Sequence, residues 1–123
     1  MHPRIIVVGA TGWYGKTLIH EYICSYGIQS ATKNLMLYAS RDSILSISTS
    51  VGVANLNVFS LSKISQTCFK SYDAIVWLAF LLRTKLKEVG LPTYLKINDE
   101  IFSCVVSCLK NNPHLHTTFF SSG

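Results

Sequence analysis

The feature that most constrains the fold is a glycine-rich stretch close to the start of the sequence. Residues 9–17 read GATGWYGKT and directly follow RIIVV at residues 4–8, a short β-branched run. Such a run indicates a strand buried on both faces of a parallel sheet. The next residues, KTLIHEYICSYG at 16–27, repeat apolar side chains at helical spacing and end at a glycine suited to a helix carboxyl terminus. A strand, a glycine loop and a helix are therefore predicted in that order.

The spacing GxxGxxG in this loop fits the phosphate-binding turn of dinucleotide-binding folds. Gly9 would make the tight exit from the strand, Gly12 would let a diphosphate approach the backbone, and Gly15 would let the helix pack against the sheet. The helix amino terminus would offer its N–H groups and partial positive charge to the phosphates. We expect the following loop residues to bind the cofactor, with the two aromatic side chains free to point away: Gly9, Thr11, Gly12, Trp13, Tyr14 and Gly15. In the alternative interpretation, the glycines only shape the turn.

The same loop also fits a permissive P-loop pattern of nucleoside triphosphate-binding proteins. Residues 10–17 match [AG]xxxxGK[ST], with Lys16 and Thr17 at the positions that contact phosphates and Mg²⁺. A P-loop favours small residues where this chain has Trp13 and Tyr14, because several backbone N–H groups must face the phosphates. It also needs a carboxylate at the end of a neighbouring strand, whereas Asp73 lies at the start of its predicted strand. The dinucleotide interpretation is therefore favoured, and the P-loop remains an alternative.

Alternation of apolar strands and amphipathic helices continues along the 123 residues. This order predicts an α/β fold, a three-layer, Rossmann-type, doubly wound parallel sheet of about five strands in a single domain over residues 1–123. A serine-rich stretch at 43–52 stays unassigned. The further predicted segments are strands at 34–39, 56–59, 73–80 and 116–121, a short helix at 63–72 and a long helix at 93–111.

Composition excludes several classes of function. The chain carries a net charge of +5, but its 11 Lys and Arg residues are scattered, so no nucleic-acid partner is expected. The tightest basic group, Arg83, Lys85 and Lys87, is interpreted as a solvated surface. No apolar run reaches the roughly 18 residues of a membrane span. Four cysteines without CxxC spacing and without a signal peptide indicate reduced thiols in a cytoplasmic protein with no metal site: Cys24, Cys68, Cys104 and Cys108.

Four segments in order resemble the extended short-chain dehydrogenases/reductases, the group of NAD(P)-dependent nucleotide-sugar epimerases and dehydratases. GATGWYG after RIIVV is similar to the family fingerprint, and DAIVWLAF at 73–80 to its fourth strand, which usually ends in Leu-Ala-Ala. YLKIN at 94–98 is similar to Tyr-x-x-x-Asn, and FFSSG at 119–123 to a fifth strand ending in Ser-Ser. The resemblance implies that Leu78, Ala79 and Phe80 line the cofactor and that Asn98 braces the active site.

The choice of cofactor depends on the end of the second predicted strand. A carboxylate there would bind the ribose of NAD, whereas this chain has Ser40 and Arg41, followed by Asp42. Because arginine pairs with a 2′-phosphate through charge-assisted hydrogen bonds, NADP(H) is favoured over NAD(H). Two alternatives stay open, that Asp42 is the ribose acid of a longer strand and that Arg41 is an ordinary surface residue.

Catalysis in the family involves a Ser/Thr, a Tyr and a Lys. Ser122 matches the serine by resemblance, but no tyrosine in the chain has a lysine four residues on, and the sequence ends at Gly123 before the family's substrate lobe. We therefore expect the cofactor-binding half of an enzyme, which would act on a nucleotide sugar only if a carboxyl-terminal half completed it. Its open edge strand could pair with another copy, giving a homo-oligomer. A non-catalytic NADP(H)-sensing or interaction protein is the alternative.

Overall fold

The structure, a computed structural model, describes residues 2–66, 68–78 and 86–119. Its strands are β1 Ile5–Val8, β2 Leu35–Ala39, β3 Ser43–Thr49, β4 Gly52–Ser60, β5 Ala74–Trp77 and β6 His116–Phe119. Its helices are α1 Trp13–Tyr26, α2 Ile28–Asn34, α3 Leu86–Val89 and α4 Leu91–Asn111, together with a 3-10 helix over Leu61–Gln66.

The strands form one mixed sheet in the order β3-β4-β2-β1-β5-β6. Strand β1 pairs in parallel with β2 and β5, and the pairs β2–β4 and β5–β6 are also parallel, whereas β3 and β4 are antiparallel. The predicted α/β class is confirmed, with a six-stranded and mostly parallel sheet. The chain extends the sheet on one side of β1 as far as the hairpin of β3 and β4, and then crosses to the other side with β5. The strand order thus reverses at β1.

Helices cover both faces of the sheet because β1 sends alternate side chains to two separate cores. Val7 packs with α1, α2 and the buried side of the hairpin, in a core that includes Ile19 and Ala31. Ile6 and Val8 pack on the opposite face, in a core formed with the 3-10 helix and α4. Strand β1 therefore contributes side chains to both cores and is buried on both faces, which explains its unbroken β-branched sequence.

Helix α1 begins three residues earlier than predicted. Gly12 has an extended backbone and acts as the N-cap, and the N–H of Lys16 donates to the Gly12 carbonyl at 2.9 Å. The helix ends as predicted at Gly27, whose φ of 94° favours glycine. Because Trp13 and Tyr14 fall within the first turn, they belong to the helix and not to the loop.

The main error in the predicted fold is the hairpin of β3 and β4. No element was predicted for residues 43–52, and only 56–59 of β4 was predicted as a strand. In the structure Leu45 and Ile47 are buried while Ile44, Ser46 and Ser48 are exposed, the alternation of a strand covered on one face. The serines obscured this two-residue period, because serine is common in loops as well as on the solvent face of an edge strand.

The remaining differences concern element boundaries. Helix α2 was not predicted, and the short helix expected at 63–72 is the 3-10 helix Leu61–Gln66. Strand β5 excludes Asp73 and Leu78, which the prediction included, and residues 79–80 and 120–121 of the predicted strands lie outside the described residues. Arg83 and Lys85 also lie outside them, and Lys87 is exposed on α3. No helix in the described part of the chain is long and apolar enough to cross a membrane. These same residues contain no cluster of three potential metal ligands.

Candidate functional site

A cavity of about 480 Å³ opens at the carboxyl ends of β1, β2 and β4, beneath α4. Five of the predicted site residues line it: Gly9, Thr11, Gly12, Ser40 and Leu78. They come from three separate stretches of sequence that the parallel strands bring together at their carboxyl ends. In open α/β sheets ligands bind at this edge, where the strand order reverses. The described part of the chain reverses its order at β1, directly below Gly9.

Gly9 has a conformation that other residues rarely adopt. Its φ is 98°, and its N–H donates to the carbonyl of Tyr38 at 2.8 Å, so the chain leaves β1 while still bound to β2. A side chain in this region of φ would be strained. The first glycine of the loop is therefore needed to form the turn, as predicted.

Gly15 is required for packing. A Cβ atom built at this position would lie 2.4 Å from the carbonyl oxygen of Gly9 and 2.7 Å from that of Ala10. Both are backbone atoms, which cannot rotate away as a flexible side chain would. The absent side chain thus lets α1 cross close over the end of β1, the role predicted for the third glycine.

Gly12 differs from the other two glycines because the folded chain does not need it. Its φ of −75° and ψ of 169° are open to any residue. A Cβ atom there would meet only the Gly9 carbonyl oxygen, at an ordinary contact distance of 3.5 Å. The residue is exposed and lines the cavity. A side chain at this position would therefore have room, next to the mouth of the cavity.

The amino terminus of α1 adds electrostatic character to this wall. No side chain caps it, and its first turn contains no acidic residue, so its partial positive charge is not neutralised from within the helix. The side chains of Trp13 and Tyr14 are 75% and 65% exposed, with their rings 4.9 Å apart in an edge-on arrangement. Neither lines the cavity, so these bulky residues of the first turn of α1 leave the approach to Gly12 open.

The end of β2 carries the residues predicted to select the cofactor. Ser40 lines the cavity, and Arg41 beside it is exposed and forms no ion pair with any described residue. Asp42 is already engaged, because it accepts a hydrogen bond from the Ser60 N–H at 2.8 Å and binds the Lys63 ammonium at 2.7 Å. The hydrogen bond from Lys63, followed by that from Ser60, lowers the pKa of Asp42. Asp42 thus ties the end of β2 to β4 and to the 3-10 helix.

The sequence did not predict the lining residues that the end of β4, the 3-10 helix and α4 contribute to the cavity. The hydroxyls of Ser60, at the end of β4, and Ser62, in the 3-10 helix, lie 2.9 Å apart, and Glu100 and Cys104 project from α4 next to Ile101. The periodicity of α4 predicted an apolar face, but it contains no signal for what that face covers. Only the crossing of α4 over the strand ends brings these side chains to the glycine loop.

The other predicted residues lie elsewhere. Asn98 is half-buried on α4 and does not line this cavity. Lys16 is exposed, and the hydroxyl of Thr17 donates to the carbonyl of Trp13 at 2.9 Å within α1. Ala79, Phe80 and Ser122 lie outside the described residues.

Comparison of the chain with protein-family models and with curated proteins finds no match. The function is therefore inferred from the geometry and chemistry of the cavity.

Proposed function

We propose that the chain binds a dinucleotide at the glycine loop, NADP(H) in preference to NAD(H), as the cofactor-binding module of an extended short-chain dehydrogenase/reductase. In this proposal the sheet is a Rossmann-type fold in which β3 of the β3–β4 hairpin adds an antiparallel edge strand. Without β3, the described strands follow the order β4-β2-β1-β5-β6, with helices on both faces, and this order is compatible with such a fold.

Gly12 is the observation that carries the proposal. Neither its backbone conformation nor its neighbours demand glycine, yet this position carries no side chain where the cavity meets the amino terminus of a 14-residue helix. A diphosphate needs both features, because its oxygens must come within hydrogen-bond distance of main-chain N–H groups. If the glycines only shaped a turn, Gly9 and Gly15 would be sufficient.

Charge supports an orientation for the ligand in the cavity. The amino terminus of α1 attracts phosphate, whereas Glu100 on α4 repels it. The diphosphate would therefore lie at Gly12, and neutral parts of the dinucleotide would lie against α4. The hydroxyls of Ser40 and Ser60 would face the ribose. When bound, the dinucleotide would supply hydride transfer, while the chain's residues bind and orient it.

The P-loop alternative has less support from this geometry. Thr17 directs its hydroxyl to a carbonyl of its own helix, and Trp13 and Tyr14 occupy positions that a phosphate-wrapping loop keeps small. Titration of the purified chain with NADPH, NADH and ATP, followed by intrinsic or cofactor fluorescence, separates the two proposals. Binding of ATP alone, with loss on Lys16→Ala, would favour the P-loop. No response to millimolar NADPH or NADH would overturn the dinucleotide proposal.

Arg41→Ser is expected to weaken NADPH binding by about tenfold and to leave NADH binding nearly unchanged, since one charge-assisted pairing with the 2′-phosphate is worth roughly 1.4 kcal/mol or more. The basis is that Arg41 is free of ion pairs with described residues, while Asp42 is held by Lys63 and Ser60. Dissociation constants for both cofactors measure the effect, and Arg41→Lys is the charge-preserving control. An equal loss for both cofactors would contradict a role in selecting the 2′-phosphate.

Thiol labelling offers a test that does not depend on turnover. Cys104 lines the cavity, so saturating NADPH is expected to slow its reaction with a thiol reagent severalfold. Cys24 and Cys68 are exposed and serve as internal controls whose rates should not change. Burial raises the pKa of Cys108, which should react slowly with or without cofactor. Mass spectrometry of labelled peptides resolves the four sites, and unaltered labelling of Cys104 in the presence of bound NADPH would place the cofactor elsewhere.

A further inference from the structure

A second cavity, of about 590 Å³, lies at the amino ends of the parallel strands, opposite the glycine loop. It is bounded by the residues that precede β1, by α2, and by the residues that precede β5. It is lined by residues with polar or charged side chains, among them His2, Arg4, Ser30, Lys33, Ser71 and Asp73. The volume lies within the range of small-molecule pockets. The amino ends of parallel strands are not where α/β proteins usually bind ligands, so this cavity is independent of the proposed cofactor site.

Arg4 places a partly buried positive charge at this cavity. Its guanidinium stacks on the ring of Tyr72, with Cζ 4.3 Å from the ring centroid, and Tyr72 itself is buried. One terminal nitrogen donates to the Ser71 hydroxyl and the other to the Tyr72 hydroxyl, at 3.4 Å for the second. The Nε atom is buried and has no hydrogen-bond acceptor among the described residues. The described groups that stack on the Arg4 guanidinium or accept its hydrogen bonds are neutral.

No carboxylate neutralises this guanidinium within the described ranges. Asp73, which also lines the cavity, accepts a hydrogen bond from the main-chain N–H of Arg4 at 2.8 Å and makes no ion pair with the Arg4 side chain. A charge taken partly out of water without a counter-ion is costly. The arrangement is therefore electrostatically incomplete, and an anion in the cavity would complete it.

Lys33 supplies a second cation on the α2 side. It lines the same cavity, is exposed, and forms no ion pair with any residue that the structure describes. Beside it, the Ser30 hydroxyl joins the Nδ1 atom of His2 at 2.6 Å and accepts from the Asn34 amide at 3.0 Å. Two cationic side chains and one carboxylate thus line the cavity, which carries a net positive charge.

We propose that this second cavity binds an oxyanion, namely the phosphate group or the clustered carboxylates of a small metabolite, between Arg4 and Lys33. The Arg4 guanidinium would provide directional N–H donors and Lys33 a mobile point charge. Hydroxyl and amide groups of the walls would complete the hydrogen bonds. The two ligand sources share this chemistry and differ in whether the negatively charged oxygens belong to one phosphate group or to several carboxylates.

The test is a titration of the ¹⁵N-labelled full chain with inorganic phosphate at constant ionic strength, followed by amide chemical shifts, with citrate in a parallel titration. Saturable shifts are expected near residues 30–34 and 71–73, where the two walls meet. Tighter binding of phosphate identifies a phosphorylated metabolite, and tighter binding of citrate identifies a polycarboxylate. Shifts confined to residues 9–15, or shifts no larger than those produced by chloride, would overturn the proposal.

Lys33→Gln is expected to weaken binding of both anions by about tenfold, the effect of removing one charge-assisted contact. Lys33 is the residue to change because it is exposed and its loss should leave the fold intact, whereas Arg4 also packs on Tyr72. Lys96→Gln, an exposed lysine of α4, removes the same charge away from this cavity and is the matched control. Equal weakening by the two substitutions would mean that the effect comes from the overall charge of the chain, and it would overturn the proposal.

Discussion

Gly15→Ala is expected to destabilise the folded chain by about 3 kcal/mol, or roughly 10 °C in melting temperature, because the added methyl group has no space. Its carbon would lie 2.4 Å from the Gly9 carbonyl oxygen and 2.7 Å from that of Ala10. Relief would require α1 to move away from the end of β1, which would break the packing of Ile19 and Ile23 in the first core. Thermal and urea unfolding, monitored by circular dichroism, measure the loss.

The control for this prediction is Ser25→Ala, which places the same residue on the exposed side of the same helix. Alanine is a better helix former than serine, so that substitution should be neutral or slightly stabilising. A Gly15→Ala chain as stable as the Ser25→Ala chain would show that the close crossing of α1 over β1 is wrong. Because the prediction concerns packing alone, it holds whatever the cavity binds.

Gly12→Ala, three residues earlier, is expected to have the opposite profile: at least a tenfold loss of NADPH affinity, about 1.4 kcal/mol or more, with little change in stability. The backbone at Gly12 suits alanine, and the new methyl group would touch only the Gly9 carbonyl oxygen at 3.5 Å. Alanine is a poorer N-cap than glycine, but this cost of some tenths of a kcal/mol is offset by a similar gain from the less flexible unfolded chain. Binding suffers because the methyl group projects into the space assigned to the diphosphate.

The informative measurement at Gly12 is a comparison of fluorescence titration with thermal unfolding on the same sample. Affinity equal to that of the unaltered chain would mean that no ligand approaches Gly12, and the dinucleotide proposal would lose its main support. Unfolding of the substituted chain would instead mean that the open space at Gly12 is absent. Together the Gly12 and Gly15 substitutions separate a glycine kept for a ligand from one kept for the fold.

Local sequence predicted the elements whose signals are short in range. Strand β1 and helix α1 were recognisable because a continuous apolar run, a glycine turn and a helical period follow one another within residues 4–27. The hairpin was not recognisable, because the identity of β3 depends on its pairing with β4 and on the burial of Leu45 and Ile47 by α1 and α2. A pattern of serine alternating with single apolar residues becomes a strand only when something covers one face.

The cavity was predictable only in part for the same reason. Gly9 and Gly12 were identified from the GxxGxxG spacing after a strand, and Ser40 from its place at the end of the second predicted strand. Glu100 and Cys104 enter the cavity through the angle at which α4 crosses the sheet, a property of tertiary packing that no spacing in the sequence encodes. The partners of Asp42 are likewise 18 and 21 residues away in sequence, so its engagement could not be foreseen.

The position of β1 between two cores has a consequence for how the glycine loop behaves before any ligand arrives. A strand that both halves of the interior depend on cannot open locally, so amide hydrogens of Ile6 to Val8 should exchange only through global unfolding. The turn at Gly9 is anchored to that strand and, through Tyr38, to its neighbour. The backbone of this turn is thus held in shape in advance, and a ligand that bound there would spend little of its binding energy on ordering it.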